Sequence, residues 1–267
     1  MRALPDNSQL PPAAQGLRRA AAPPVDVTRP WLAHLRPALD GALAAWQAGL
    51  PVALALSSAM PATARAAKLP RFVSQSALRE SEAYEAFIHR SGRIPTRDNL
   101  HDFFNGLVWL AQPALKQRLN ALQAAEISRA GVGQQRGPLR DALTLFDENG
   151  ALFAAPAVLR QALQARDWHA LFITHRARWA EARLTIIGHA LLEKLATAPR
   201  KALTAHVLVG NVLAGDAPLA DVLTMSAADW AAKPFLPLPV LGVPGWWPAN
   251  EAPAFYRDAA VFRPPRR

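Results

Sequence analysis

Eight prolines crowd the end of the chain, at positions 234, 237, 239, 244, 248, 253, 264 and 265, and their spacing forbids regular helix or interior strand there. Each lacks the N–H that those structures need, and each fixes its own φ. The side chains between them are nonetheless strongly apolar: Leu236, Leu238, Val240, Leu241, Trp246, Trp247, Phe255, Tyr256, Val261 and Phe262. A free tail would not carry so many. The segment is therefore expected to wrap irregularly over a body built from other elements.

That body reads as helical. Trp31, Leu32, Leu35, Leu39, Leu43 and Trp46 recur at helical spacing over residues 31–48, and Pro51 to Leu56 is a short apolar run, helix or buried strand. Tyr84 to His89 and Arg93 to Thr96 look like two extended pieces about the glycine of Arg90-Ser91-Gly92. They lead into a central helix over 99–111, capped by Thr96, Asp98 or Asn99 and closed by Pro113, which also suits the first turn of a helix over 114–127. Asp147-Glu148-Asn149-Gly150 lies between apolar arms, Leu145-Phe146 and Leu152-Phe153, a pattern typical of a hairpin. Further helices are expected at 156–166, 168–178, 180–195 and 200–213. Residues 1–30, without periodicity, read as a mobile N-terminal arm, and residues 31–267, without repeat or clean linker, as a single globular domain. The expected class is α+β, dominated by helices, with one or two β-hairpins and the Pro-rich irregular C-terminal wrap.

Composition narrows the function classes. With 267 residues, 51% of them hydrophobic, the chain can bury a substantial core. It has no cysteine, which excludes disulfides, a thiolate nucleophile, Cys-ligated zinc and iron–sulfur clusters. Any metal must therefore take His, carboxylate, amide or water ligands. No segment has the length and apolarity of a signal peptide core or a membrane span, so a cytoplasmic protein is expected. The formal charge of +10 is spread out: residues 65–97 carry 7 basic and 3 acidic groups, residues 151–201 carry 8 and 3, and residues 202–267 carry 5 and 5. At most weak, sequence-indifferent nucleic-acid binding is expected from so dispersed a charge.

The chemistry is concentrated in two polar gaps. On a wheel advancing about 100° per residue, Phe103, Phe104, Leu107, Val108 and Leu110 share one face of the central helix, while His101, Asp102 and Asn105 lie opposite. Trp109 sits among the polar residues, so their side is not simply wet. In the expected helix over 180–195, His189 and Glu193 fill the one gap in an otherwise apolar circumference, one turn apart. Opposed, the two helices bring two imidazoles and two carboxylates to one pocket, a set suited to a hard metal or to general acid/base chemistry. The alternative for each His is a structural role, hydrogen-bonded to its neighbours. The expected function is an enzyme, a metal-assisted hydrolase acting on a small molecule. Its catalytic candidates are His101, Asp102, His189 and Glu193, and its ligand-binding candidates Asn105, Trp109 and Trp247. A divalent metal is the cofactor this set can hold. The rival is a non-catalytic basic protein that binds nucleic acid or an acidic protein partner. Asp147 and Glu148 offer further ligands, although Asp-Glu-Asn-Gly is also ordinary turn chemistry.

Adjacent His101 and Asp102 are similar to the metal-binding doublet of the HD phosphohydrolases, a likeness two residues long. Those enzymes need further His and Asp ligands; His34, His89, Asp141 and Asp167 are present, without context that selects any of them. A longer likeness lies in residues 95–109 (PTRDNLHDFFNGLVW), 136–150 (RGPLRDALTLFDENG), 188–194 (GHALLEK) and 238–250 (LPVLGVPGWWPAN). Together these resemble the bacterial domain of unknown function 3025 family over roughly residues 30–265. The resemblance implies a proteobacterial protein and supplies no activity, cofactor or catalytic residue.

Overall fold

The computed structural model describes residues 23–61, 69–131, 137–211 and 217–264. Residues 1–22 of the expected arm lie outside the described residues, and Val25 and Val27 rest partly buried against the core. A 3-10 turn over Pro30–Leu35 leads into α1 (Arg36–Gln47), and α2 (Val52–Ser58) follows. The helical spacing is realised: Trp31, Leu35, Leu39, Leu43 and Trp46 are all buried. Asp98 Oδ1 accepts from the Val52 N–H at 2.9 Å, so a residue from the start of the central helix satisfies a free amide in the first turn of α2.

The stretch expected to be extended before Gly92 is instead α3 (Tyr84–Ser91). Gly92 ends it at φ 62°, the left-handed conformation in which a helix stops most cheaply when no Cβ is present. The chain then leaves as β2 (Arg93–Thr96), which pairs in parallel with β1 (Arg71–Ser74). The central helix α4 (Leu100–Ala111) is capped by Asn99, whose Oδ1 accepts from the Asp102 N–H at 2.8 Å. Pro113 opens α5 (Pro113–Ala130) as its position predicts.

The Asn-Gly hairpin does not form. Asp147, Glu148 and Asn149 are the last turn of α6 (Pro138–Asn149), and Gly150 begins β3 (Gly150–Ala155), every residue of which is buried. A helix stop and a hairpin turn draw on the same residues; the apolar period of Leu143 and Phe146, both buried, decides for the helix. After α7 (Ala157–Ala165), a π turn over Ala170–Thr174 and a 3-10 turn over Arg176–Glu181 fill the region expected to be one helix. The expected helix over 180–195 is likewise divided, into β4 (Arg183–Ile186) and α8 (His189–Thr197). Of the helix expected over 200–213, Thr204–Asn211 is strand β5, and residues 212–213 lie outside the described residues. Both misreadings concern short runs rich in β-branched residues, whose period alone does not separate strand from helix. Two helices, α9 (Ala217–Thr224) and α10 (Ala227–Ala231), precede β6 (Leu236–Pro239).

The larger sheet has the order β4-β3-β5-β6, with β3 and β5 parallel and the outer pairs antiparallel. Long excursions rather than tight turns join its neighbours. Pro237 and Pro239 lie in β6 opposite His206 and Thr204, and β6 is an edge strand, the one sheet position proline tolerates. Past it the chain wraps in 3-10 turns, as expected, over Val240–Gly242, Pro248–Glu251 and Pro253–Arg257. Asn250, fully buried, holds this wrap by donating to Leu241 O at 2.8 Å and Val243 O at 2.7 Å.

His34, in the first 3-10 turn, is held down to about 4 by burial. The unfolded chain takes up this proton near pH 6.5 and the folded chain near pH 4. His34 therefore adds stability that is whole above pH 6.5 and is lost as the pH falls toward 4, by at most about 1.4 kcal/mol per pH unit. Urea unfolding of His34→Gln should show a flatter decline than wild type across that window. Equal declines would mean that another group governs acid sensitivity.

Candidate metal centre

Five helices converge on one cavity of about 320 Å³. From α4 come His101, Asp102, Asn105 and Trp109; from α5, Lys116, Asn120 and Gln123; from α6, Asp147 and Glu148; and from the start of α8, His189. Tyr84 of α3 and Arg97 close the rim. A close backbone contact sets His189 beside Glu148. The Ile187 and Gly188 N–H groups both donate to Gly150 O, at 2.9 and 2.8 Å. A Cβ on Gly188 would lie 2.4 Å from Asn149 Cα and 2.5 Å from Glu148 O, so only glycine fits between the two segments.

The two imidazoles meet edge to face, with Nε2 of His101 and Nε2 of His189 3.0 Å apart. On the far side of each ring stands a carboxylate. Glu193 Oε2 is 3.0 Å from His101 Nδ1, and Asp147 Oδ2 is 3.6 Å from His189 Nδ1. Glu148 Oε1 lies 3.6 Å from His189 Nε2. One ligand atom from each of His101, Glu148 and His189 falls within 4.8 Å of the others, a spacing that one metal ion can bridge.

Charge is balanced by a buried lysine. Lys116 is 4% exposed and donates to Asp147 Oδ1 and, at 2.8 Å, to Asn105 Oδ1. Burial by itself raises the Asp147 carboxyl, but the charge of Lys116 and its hydrogen bond outweigh it and hold the group below the usual carboxylate range. Glu148 lies above that range because burial dominates there. His189 is pushed down to about 4 because burial, helped by the charge of Lys116, outweighs the opposing pull of Asp147, so its ring stays neutral. Burial and the nearby Asp102 and Asp147 raise the Tyr84 hydroxyl, keeping it protonated.

The structure brings together His101, His189, Glu193, Asn105, Trp109 and Asp102, but in changed roles. Glu193 bonds His101 on the opposing helix instead of His189 one turn away. Asp102 is occupied by Arg97, whose backbone N–H and guanidinium donate to it at 2.7 and 2.8 Å, so it supports the rim while His101 faces the other imidazole. The HD doublet thus splits, and none of His34, His89, Asp141 or Asp167 lines the cavity. Trp247 stands apart, in a surface hollow with Thr28, Arg29 and Trp246. Among the described arginines, Arg29, Arg90, Arg97, Arg129, Arg176 and Arg178 each sit in an ion pair, so much of the positive charge is answered locally.

Sequence reasoning missed Lys116 and Tyr84 and gave Glu148 to a turn. One signal was legible: Lys116, Asn120 and Gln123 recur at helical spacing beside Leu115 and Leu119, a polar line that turns out to be buried. Among the described residues no helix is long and apolar enough to cross a membrane. Searches of curated proteins and of solved structures find no match. A family model described as protein of unknown function (DUF3025) matches residues 70–266, a span that holds the whole cavity, and the chain accordingly belongs to the DUF3025 family.

Proposed function

We propose that the protein is a metal-dependent hydrolase in which His101, His189 and Glu148 hold one divalent cation at the wall of the cavity. The observation that carries this reading is the 3.0 Å approach of two Nε2 atoms beside a carboxylate, with Glu193 bonded to the other nitrogen of His101 at 3.0 Å and Glu148 Oε1 3.6 Å from His189 Nε2. A carboxylate only accepts, so Glu193 favours the His101 tautomer with the proton on Nδ1 and leaves the lone pair on Nε2. Nitrogens at this spacing can both reach one ion at about 2.0–2.1 Å, and Glu148 stands close enough to share it. His189, neutral down to about 4, keeps its lone pair available throughout the physiological range.

Three protein ligands leave coordination positions open, the arrangement of catalytic rather than structural metal sites. The three residues line a polar cavity, where a bound cation would supply a water that ionises near neutral pH. Glu193 orients the His101 ring from behind. Hydrolysis of a small substrate is the chemistry this combination favours.

Elemental analysis and zinc titration of untagged protein test the reading. About one equivalent per chain is expected, abolished in His101→Ala and in His189→Ala. Glu193→Gln should weaken affinity by roughly 10- to 100-fold, the usual effect of losing a carboxylate behind a ligating His. Affinity should also fall on acidification as Glu148, held above its ordinary range, takes up a proton. Wild-type protein that retains no zinc, manganese, iron or cobalt would remove the proposal.

A further inference from the structure

We infer that Tyr84 is the oxyanion donor of this site and that the cavity accepts a neutral acyl group, an amide or ester carbonyl, in preference to a phosphate. The inference rests on the metal reading above and adds the substrate class to it. Its argument begins at Lys116, whose ammonium has protons and no lone pair. Because Lys116 Nζ lies 2.8 Å from Asn105 Oδ1, the amide of Asn105 has only one orientation, with Oδ1 toward the lysine and Nδ2 away from it. Asn105 Nδ2 then donates to the Tyr84 hydroxyl oxygen at 3.1 Å. The tyrosine oxygen is therefore an acceptor in this contact, and its own proton is left for another partner. No described residue takes it, and Tyr84 lines the cavity that the two imidazoles face. The chain from Asp147 through Lys116 and Asn105 thus delivers one oriented O–H donor to the cavity.

The cavity's charges select the substrate. Its two cations are both committed, Arg97 to Asp102 and Lys116 to Asp147. Neither can give an undivided charge to a phosphoryl group. An acyl carbonyl is neutral until attacked and needs only a hydrogen-bond donor where its negative charge develops. A bound cation would supply a polarised water for this chemistry; as water adds to the carbonyl carbon, the C=O π pair moves onto oxygen, where the Tyr84 O–H would stabilise it without giving up its proton. Collapse of that adduct breaks the bond to the amine or alkoxide, which leaves with the proton released by the water.

Acetohydroxamate, which places a carbonyl oxygen on a bound cation, and inorganic phosphate are suitable probes of the zinc-loaded protein. Wild type should bind acetohydroxamate more tightly than phosphate. Tyr84→Phe should weaken acetohydroxamate on the order of ten-fold, with zinc stoichiometry and the thermal melt retained. Asn105→Asp provides an independent arm, because a carboxylate at that position accepts the Tyr84 proton and withdraws it from the cavity. It too should lose about ten-fold of acetohydroxamate affinity while the tyrosine ring stays in place. Unchanged affinity in folded, zinc-loaded variants would overturn the role of Tyr84 alone. Tighter phosphate binding in wild type would overturn the substrate class. Failure of wild type to take up zinc would instead remove the metal reading itself and this inference with it.

Discussion

Lys116→Met should destabilise the protein by about 3 kcal/mol or more, among the largest effects of any single side chain in the cavity wall. The lysine is buried, and Asp147 keeps 23% of its side-chain surface exposed, so the aspartate left behind is only partly answered by water. Removing one member of such a pair costs far more than the pair itself contributes, because the surviving charge must be neutralised or hydrated in place. The loss should depend on pH in a definite direction. In wild type Lys116 holds the Asp147 carboxyl below its ordinary range; without the lysine, burial acts with less opposition and lifts it. A lifted folded-state value destabilises the protein above it and is relieved as the pH falls through it. The deficit of Lys116→Met in urea unfolding should therefore shrink on acidification, and the double variant Lys116→Met/Asp147→Leu should recover most of it. A double variant no more stable than the single one would show that the cost arises from lost volume and not from a stranded charge.

Gly188→Ala is expected to lower stability by about 3 kcal/mol and to disturb the candidate metal centre at the same time. The added Cβ meets backbone on the neighbouring segment, with Asn149 Cα at 2.4 Å and Glu148 O at 2.5 Å, and backbone cannot swing aside as a side-chain tip does. Relief requires the start of α8 to part from the end of α6, which also separates His189 from Glu148. Thermal denaturation and zinc affinity should fall together. By contrast, the Cβ of Gly106→Ala meets first the side chain of Leu56, away from the ligands, and should leave the metal site intact. Full zinc affinity in a destabilised Gly188→Ala protein would show that the glycine contact does not set the spacing between the ligands.

The elements legible in the sequence were those whose local and long-range requirements agree. α4 shows both its apolar face and its polar face in the order of residues, and its Asn99 cap and the following Pro113 bound it. The irregular wrap after residue 234 follows from where the prolines are. Strands β4 and β5 were read as helix because their apolar runs are short and acquire a strand identity only by pairing with β3. The facing of His101 and His189 was legible because each lies in a polar gap of its own segment. The partners of those rings were not, since Glu193 reaches His101 across 92 residues and the Lys116–Asp147 pair spans 31. Sequence spacing favours the partner one turn away on the same helix; helix packing chose the one opposite.

The prolines of β6 also bear on how the molecule behaves at high concentration. Val240 N donates to Leu203 O at 3.0 Å, which turns the even-numbered amides of this strand toward β5 and places Pro237 and Pro239 on the outer rim. An arriving strand would find no hydrogen-bond donor at either place and would meet two pyrrolidine rings. The sheet consequently ends at β6, and this edge is closed to strand-by-strand stacking of one copy on another.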